Sequence, residues 1–212
     1  MIKLQNLTKR EGKKVIFENL NCEMKKGEII GVLGQSGTGK TILLDMIIGL
    51  KKPNVGNIII DGKDIFENIL EVRRKIGYMS ETPIYQDMTV REYLKFLAKI
   101  RYMDMDEGKV TEYLNKFGII DKDKILVGNL QESDKKLLAI AGAYLGTPPI
   151  ILLDDPFTGL DADSSKRVID SILKDKKDLI TIIATSNDKY LKDLCDKMLL
   201  LNKDKDAEFI NA

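Results

Sequence analysis

The chain has 212 residues, 34 basic against 33 acidic side chains and no histidine. That length suits one sizeable domain with an ample core, and the balanced charge gives no reason to expect nucleic acid as a partner. The absence of histidine removes the commonest general base, and Cys22 and Cys195 stand too far apart in sequence for a metal or redox spacing, which suits a reduced, cytosolic setting. In chain order, Lys3 to Leu7 and Val15 to Met24 read as antiparallel strands, with turns around Gly12 and Gly27. The opening Met1 to Arg10 lacks the apolar core of a signal peptide. No stretch approaches the ~20 apolar residues that span a bilayer, so a membrane role is expected only through a partner.

The apolar run Ile29-Ile30-Gly31-Val32-Leu33 leads into Gly34-Gln35-Ser36-Gly37-Thr38-Gly39-Lys40-Thr41, and a helical stretch continues to Leu50. Strand, glycine-rich turn and helix in that order form a phosphate-binding loop. Its glycines let successive backbone N–H groups turn inward on phosphate oxygens, helped by the helix N-terminus. Lys40 can bridge the β- and γ-phosphates, and the Thr41 hydroxyl can ligate Mg²⁺. A nucleoside triphosphate is therefore expected here.

Asn57 to Gly62 reads as a short strand closed by an Asp-Gly turn. From about Pro83 the pattern is helical. Thr89-Val90-Arg91-Glu92 is a capping-box pattern, and Val90, Tyr93, Leu94, Leu97 and Ile100 follow at helical spacing. Val110, Tyr113, Leu114 and Phe117 form a second stripe stopped by Gly118, and Leu137, Leu138, Ala141 and Leu145 a third stopped by Gly146. All three are read as core-packing faces. Ile150 to Leu153 is a continuous apolar strand of the kind buried on both faces. Helix Ser164 to Lys174, strand Leu179 to Ala184, helix Asp188 to Cys195 and strand Met198 to Leu201 follow, an alternation that implies a parallel sheet. The charged stretches Lys174 to Asp178 and Lys203 to Asp206 are read as solvated turns and a tail.

Asp154-Asp155 ends the buried strand, at the sheet edge where the phosphate loop also lies. Asp154 is expected to hold Mg²⁺ and Asp155 to face the attacking water. With Gly34 to Thr41, Ile76 to Glu81, Leu152 to Pro156 and Gly159-Leu160-Asp161, the sequence resembles the ATP-binding subunit of an ABC transporter over essentially its whole length. The Tyr85…Asp87-Met88-Thr89-Val90-Arg91-Glu92-Tyr93-Leu94 segment is most similar to the branch serving ABC-2-type exporters. The resemblance implies an α/β P-loop NTPase fold of ABC type. It would have a mostly parallel sheet, an antiparallel N-terminal β subdomain and a helical insert of about residues 83–145, within one domain spanning 1–212. It further implies ATP and Mg²⁺ as ligands, a second ATP-binding subunit and transmembrane permease subunits. The chain would then sit at the cytoplasmic face of the membrane. A short permease helix is expected in a groove between Glu81 and about Tyr102, with Tyr85 and Met88 as exposed contacts.

The departures from that family pattern fall on one side of the chemistry. Leu130-Gln131-Glu132-Ser133-Asp134 stands where the family has Leu-Ser-Gly-Gly-Gln. A carboxylate ~5 Å from a γ-phosphate, at an effective dielectric of ~20, costs on the order of 3 kcal/mol. Acids at a helix N-terminus also serve as ordinary caps that offset the dipole. Asp155 replaces the catalytic glutamate, Ser186 the switch histidine and Glu81 the glutamine of the Mg²⁺-sensing loop, where a carboxylate can still meet the ion or its waters. Near Glu11 the family places an aromatic that stacks on adenine; none is present, and Phe17 reads as core. No nucleobase-reading motif of the GTPase kind appears. The expected function is a subunit that binds Mg-ATP and hydrolyses it slowly or with a partner's help. A fully active export ATPase and a soluble ABC protein without a transporter are the alternatives.

Overall fold

The computed structural model describes residues 1–80, 85–202 and 207–211. Strands β1 (Ile2–Glu11) and β2 (Lys14–Met24) form an antiparallel hairpin with a two-residue turn. With β4 (Val55–Ile60) and β5 (Lys63–Asp64) they make a sheet of order β2-β1-β4-β5, the expected antiparallel N-terminal layer. Between these strands run β3 (Ile29–Leu33) and helix α1 (Lys40–Ile47). Helix α2 (Ile69–Arg74), which has too few residues to show a periodicity, leads into β6 (Ile76–Met79). The Arg73 guanidinium donates to the carbonyls of Ile48 at 3.0 Å and Gly49 at 2.9 Å. It thereby satisfies carbonyls that the end of α1 leaves unpaired.

The helical segment comprises α3 (Val90–Ile100), α4 (Glu107–Lys116) and α5 (Glu132–Tyr144). The capping box at Thr89 forms as read: its side chain accepts from the Glu92 N–H, and Glu92 Oε2 accepts from the Thr89 N–H at 2.9 Å. The Glu92 carboxyl is held below its ordinary value of 4.5, first by that backbone N–H. Tyr93, Leu94 and Val90 are buried, but Ile100 is 55% exposed because it ends the helix beyond the core. Met88 is half-buried against the helical core rather than exposed, whereas Tyr85 is exposed as read.

The remaining elements are β7 (Ile150–Asp154), α6 (Ala162–Asp175), β8 (Ile180–Thr185), α7 (Leu191–Leu194), β9 (Lys197–Leu201) and β10 (Ala207–Asn211). They complete a sheet of order β10-β9-β3-β8-β7-β6, parallel except for the β10 edge. The helix expected over Asp188 to Cys195 is a single turn, because the Asn187 side chain accepts from the Lys189 N–H at 2.9 Å and holds its start in a turn. The charged stretch Lys203 to Asp206, read as a solvated tail, lies outside the described residues, and past it the five residues of β10, too few to show a strand pattern in the sequence, pair antiparallel with β9.

Side chains alternate across the parallel sheet, so each strand feeds two cores. Ile150, Leu152, Ile180 and Ile182 pack with α1 and the antiparallel sheet. Ile151, Leu153 and Ile183 pack with the helical segment. Burial on both faces explains why these strands read as unbroken apolar runs. Burial pushes the Cys22 and Cys195 thiols up to about 12, which keeps both unreactive at neutral pH.

Helix α5 lies so close on β6 that a Cβ at Gly77 would come within 1.9 Å of the Ala143 carbonyl oxygen. Gly77→Ala is therefore expected to destabilise the chain by roughly 2–3 kcal/mol, read as a lower denaturant midpoint. Thr89→Ala should cost about 1 kcal/mol and speed hydrogen exchange at the Glu92 amide. Because Glu92 titrates below 4.5 in the folded chain, the capping contribution should persist above that pH and disappear as the pH falls through the depressed value.

Candidate nucleotide-binding site

The loop from Gly34 to Thr41 leaves β3 at the carboxyl edge of the parallel sheet. Gly34 admits no side chain: a Cβ there would stand 2.5 Å from Thr38 Oγ1 and 2.6 Å from the Leu201 carbonyl. Gly39 begins α1 with φ +105, and its missing Cβ would meet Ile16 Cγ2 at 2.2 Å. The β1–β2 hairpin thus rests directly on the loop. Thr38 is buried and donates from its hydroxyl to the Gln35 carbonyl at 2.9 Å, closing the turn internally.

Lys40 Nζ lies across the mouth of the loop, 2.7 Å from the Gly34 carbonyl and 3.1 Å from that of Gln35. From the first turn of α1, Thr41 Oγ1 donates to Asp154 Oδ2 at 2.6 Å. Residues 113 positions apart in sequence are thereby joined by one short hydrogen bond. Asp154 is 3% exposed. A hydroxyl and one buried carboxylate are hard oxygen donors suited to Mg²⁺. Among the described residues no group of three or more His, Cys, Asp or Glu gathers elsewhere to hold a metal. The two donors fit an ion that completes its shell from phosphate oxygens and water, as Mg²⁺ commonly does.

Asp155 adopts φ +50, in the left-handed region that aspartate enters more readily than most L-residues but that still favours glycine. Three bonds hold it there. Its N–H donates to the Ala184 carbonyl at 2.7 Å, its carbonyl accepts from Lys136 Nζ at 2.9 Å, and its Oδ1 accepts from Thr185 Oγ1 at 2.8 Å. Lys136 also donates to the Thr158 carbonyl at 2.6 Å and so ties α5 to the loop after β7.

These groups line one cleft of about 420 Å³, with Ser36, Gly37, Gly39, Lys40 and Thr41 on one wall, Asp154, Asp155 and Ser186 on another, and Glu11, Lys14 and Ile16 at the hairpin end. Of the site residues read from the sequence, Ser36, Gly37, Gly39, Lys40, Thr41, Asp154 and Asp155 line this cleft, Gly34, Gln35 and Thr38 belong to the same loop without lining it, and Glu81 lies outside the described residues. Thr185, Lys136, Lys14 and Ile16 went unread. Thr185 could have been found from its place at the carboxyl end of β8, the strand beside Asp154; Lys136 lies on a helix read only as a core-packing stripe and carries no such signal.

The segment Leu130 to Asp134 begins α5. Leu130 is buried, the Gln131 side chain makes no capping bond, and Glu132 and Asp134 occupy the first turn. The capping expectation is met only through the dipole, with the Glu132 side chain 89% exposed and paired to Lys135 at 2.8 Å.

Comparison with known proteins bears on this geometry. The family model described as ABC transporter matches residues 17–158. The chain is 32% identical over 211 residues to the ABC transporter ATP-binding protein NatA of Bacillus subtilis, covering 95% of this chain and 86% of that one. It is 38% identical over 191 residues to the bacitracin transport ATP-binding protein BcrA of Bacillus licheniformis, covering 88% of this chain and 61% of that one. The dimeric structure of the ATP-binding cassette MJ0796, in a post-hydrolysis state bound to ADP and Pi, superposes with a TM-score of 0.87 at 23% identity, covering 100% of this chain and 98% of that one; it speaks to the fold. The chain belongs to the ABC transporter family, as one of its ATP-binding members.

Proposed function

We propose that this chain binds Mg-ATP in the cleft described above and splits it slowly, as the nucleotide-binding subunit of an export complex. The observation that carries the reading is the 2.6 Å contact of Thr41 Oγ1 with Asp154 Oδ2 at the mouth of the glycine-rich loop. In this reading residues 1–212 act as one ATP-binding domain, with the helical part at about 83–145 inserted in it. The N–H groups of Gly34 to Thr41 wrap the phosphates, and Lys40 leaves the loop carbonyls for the β- and γ-phosphate oxygens. Thr41 and Asp154, with Glu81 as the further ligand read from the sequence, would hold Mg²⁺, which would supply positive charge against the phosphates.

Asp155 takes the proton of the attacking water. Its carboxylate is one methylene shorter than a glutamate, a displacement of about 1 Å that can cost ~10²-fold in rate. One of its oxygens is occupied by the Thr185 hydroxyl, and Ser186 beside it offers neither a cation nor a proton shuttle. The grip is therefore whole while the cutting groups are weak. A second ATP-binding subunit, of the same or another sequence, completes the site across an interface. Transmembrane permease subunits carry the pair at the cytoplasmic face, docking beside Tyr85, which is 62% exposed and stacks edge-on against Phe96 at 5.1 Å. The name of the relative BcrA, a bacitracin transport ATP-binding protein, supports transport, and the Tyr85 to Leu94 segment supports export.

Lys40→Ala should weaken binding of a fluorescent ATP analogue by about 10- to 100-fold, since a charge-assisted contact is lost. Asp155→Glu should raise turnover, by up to ~10²-fold, and Asp155→Asn should lower it, with ATP affinity unchanged in both. A wild-type chain that turns over ATP at a typical ~10 s⁻¹ alone would instead support an ordinary export ATPase.

A further inference from the structure

The cleft has two chemically distinct ends. The phosphate loop, Lys40 and Asp154 form one; the tip of the β1–β2 hairpin forms the other. A nucleoside triphosphate whose phosphates occupy the first has the second within the same cleft to receive its base. There β1 and β2 pair Glu11 with Lys14 across the turn, so the tip carries one acidic and one basic residue at the cleft. Ile16 packs onto Gly39 beneath them, and Lys14 Nζ lies 3.4 Å from the Gly37 carbonyl. Among the described residues that line the cleft, none is aromatic. A base placed here gains little from stacking and is discriminated by hydrogen bonds along its edge.

We propose that Glu11, with Lys14 beside it, reads the base and makes this site prefer guanine to adenine nucleotides. The proposal rests on the reading of the cleft as a triphosphate site. A carboxylate only accepts hydrogen bonds and an ammonium only donates them. Guanine presents N1–H and the exocyclic N2 amine as adjacent donors, which a carboxylate takes as a pair, and O6 and N7 as acceptors for a lysine. Adenine sets the bare N1 acceptor beside its single N6 amine, so the same carboxylate gains one bond and faces one repulsion. Glu11 is available for this exchange. Its contact is Lys51 Nζ at 3.5 Å, with both side chains more than 40% exposed, and an exposed pair of that kind is readily given up. ATP remains a ligand through its phosphates; the hairpin tip ranks the bases.

The test is displacement of a mant-labelled ATP from the full chain, with Mg²⁺ present, by GTP, ITP, ATP and inorganic triphosphate. GTP should bind about tenfold tighter than ATP, the size of one bidentate base contact weakened by solvent. ITP, which keeps N1–H and lacks the exocyclic amine, should fall between them. Glu11→Gln, an isosteric change at an exposed position, should bring GTP down to or below the level of ATP, because an amide no longer accepts from both guanine donors and can pair with the N1 and N6 edge of adenine. Wild-type ATP binding as tightly as GTP, or a GTP-to-ATP ratio unchanged in Glu11→Gln, overturns the proposal. Inorganic triphosphate competing as well as every nucleotide also overturns it, yet leaves the phosphate-loop reading standing. If no probe or competitor binds, both fall.

Discussion

The hydrogen bond between Thr41 and Asp154 depends on almost everything else in the chain. It requires a helix that starts at the end of one strand and a carboxylate that ends another, with β8 between those strands in the sheet. Parallel strands make this possible because their carboxyl ends share one edge. The two cores make it rigid: Leu43, Leu44, Met46 and Ile47 anchor α1 on one face, and Leu153 locks β7 from the other. A slip of either strand by one residue would exchange the two faces and carry the carboxylate away from the hydroxyl. The site is in that sense a product of register.

A second layer of control lies in groups that never reach the phosphates. Thr185 and Lys136 hold Asp155 in a backbone conformation that favours glycine, and they come from different elements, β8 and α5. The orientation of the candidate base is thus set jointly by the sheet and by the helical segment. Ile16 acts comparably at the other end, where the antiparallel sheet closes over Gly39.

The parts of this arrangement legible in the sequence share a physical cause. The loop, the two carboxylates and the buried strands are local patterns in which a few adjacent residues must have fixed types, so the string itself shows them. The capping box at Thr89 and the helix stops at Gly118 and Gly146 are of the same kind. What escaped is non-local or short. Lys136 and Thr185 matter because of what folding places beside them. Helix α2 and strand β10 are too brief to establish a periodicity. The single turn at Leu191–Leu194 was read too long because a side-chain turn at Asn187 outcompetes helix at its start.

Helix α5 is fastened twice, and the spacing of those fastenings has a mechanical result. Near its C-terminus the backbone at Ala143 bears on Gly77 with no room to shift, while near its N-terminus Lys136 grips the carbonyls of Asp155 and Thr158. The first turn, with Glu132 projecting into solvent, lies just ahead of the Lys136 fastening. The start of α5 and the main chain of Asp155 are thus joined through one side chain, so a displacement of either is felt at the other through Lys136.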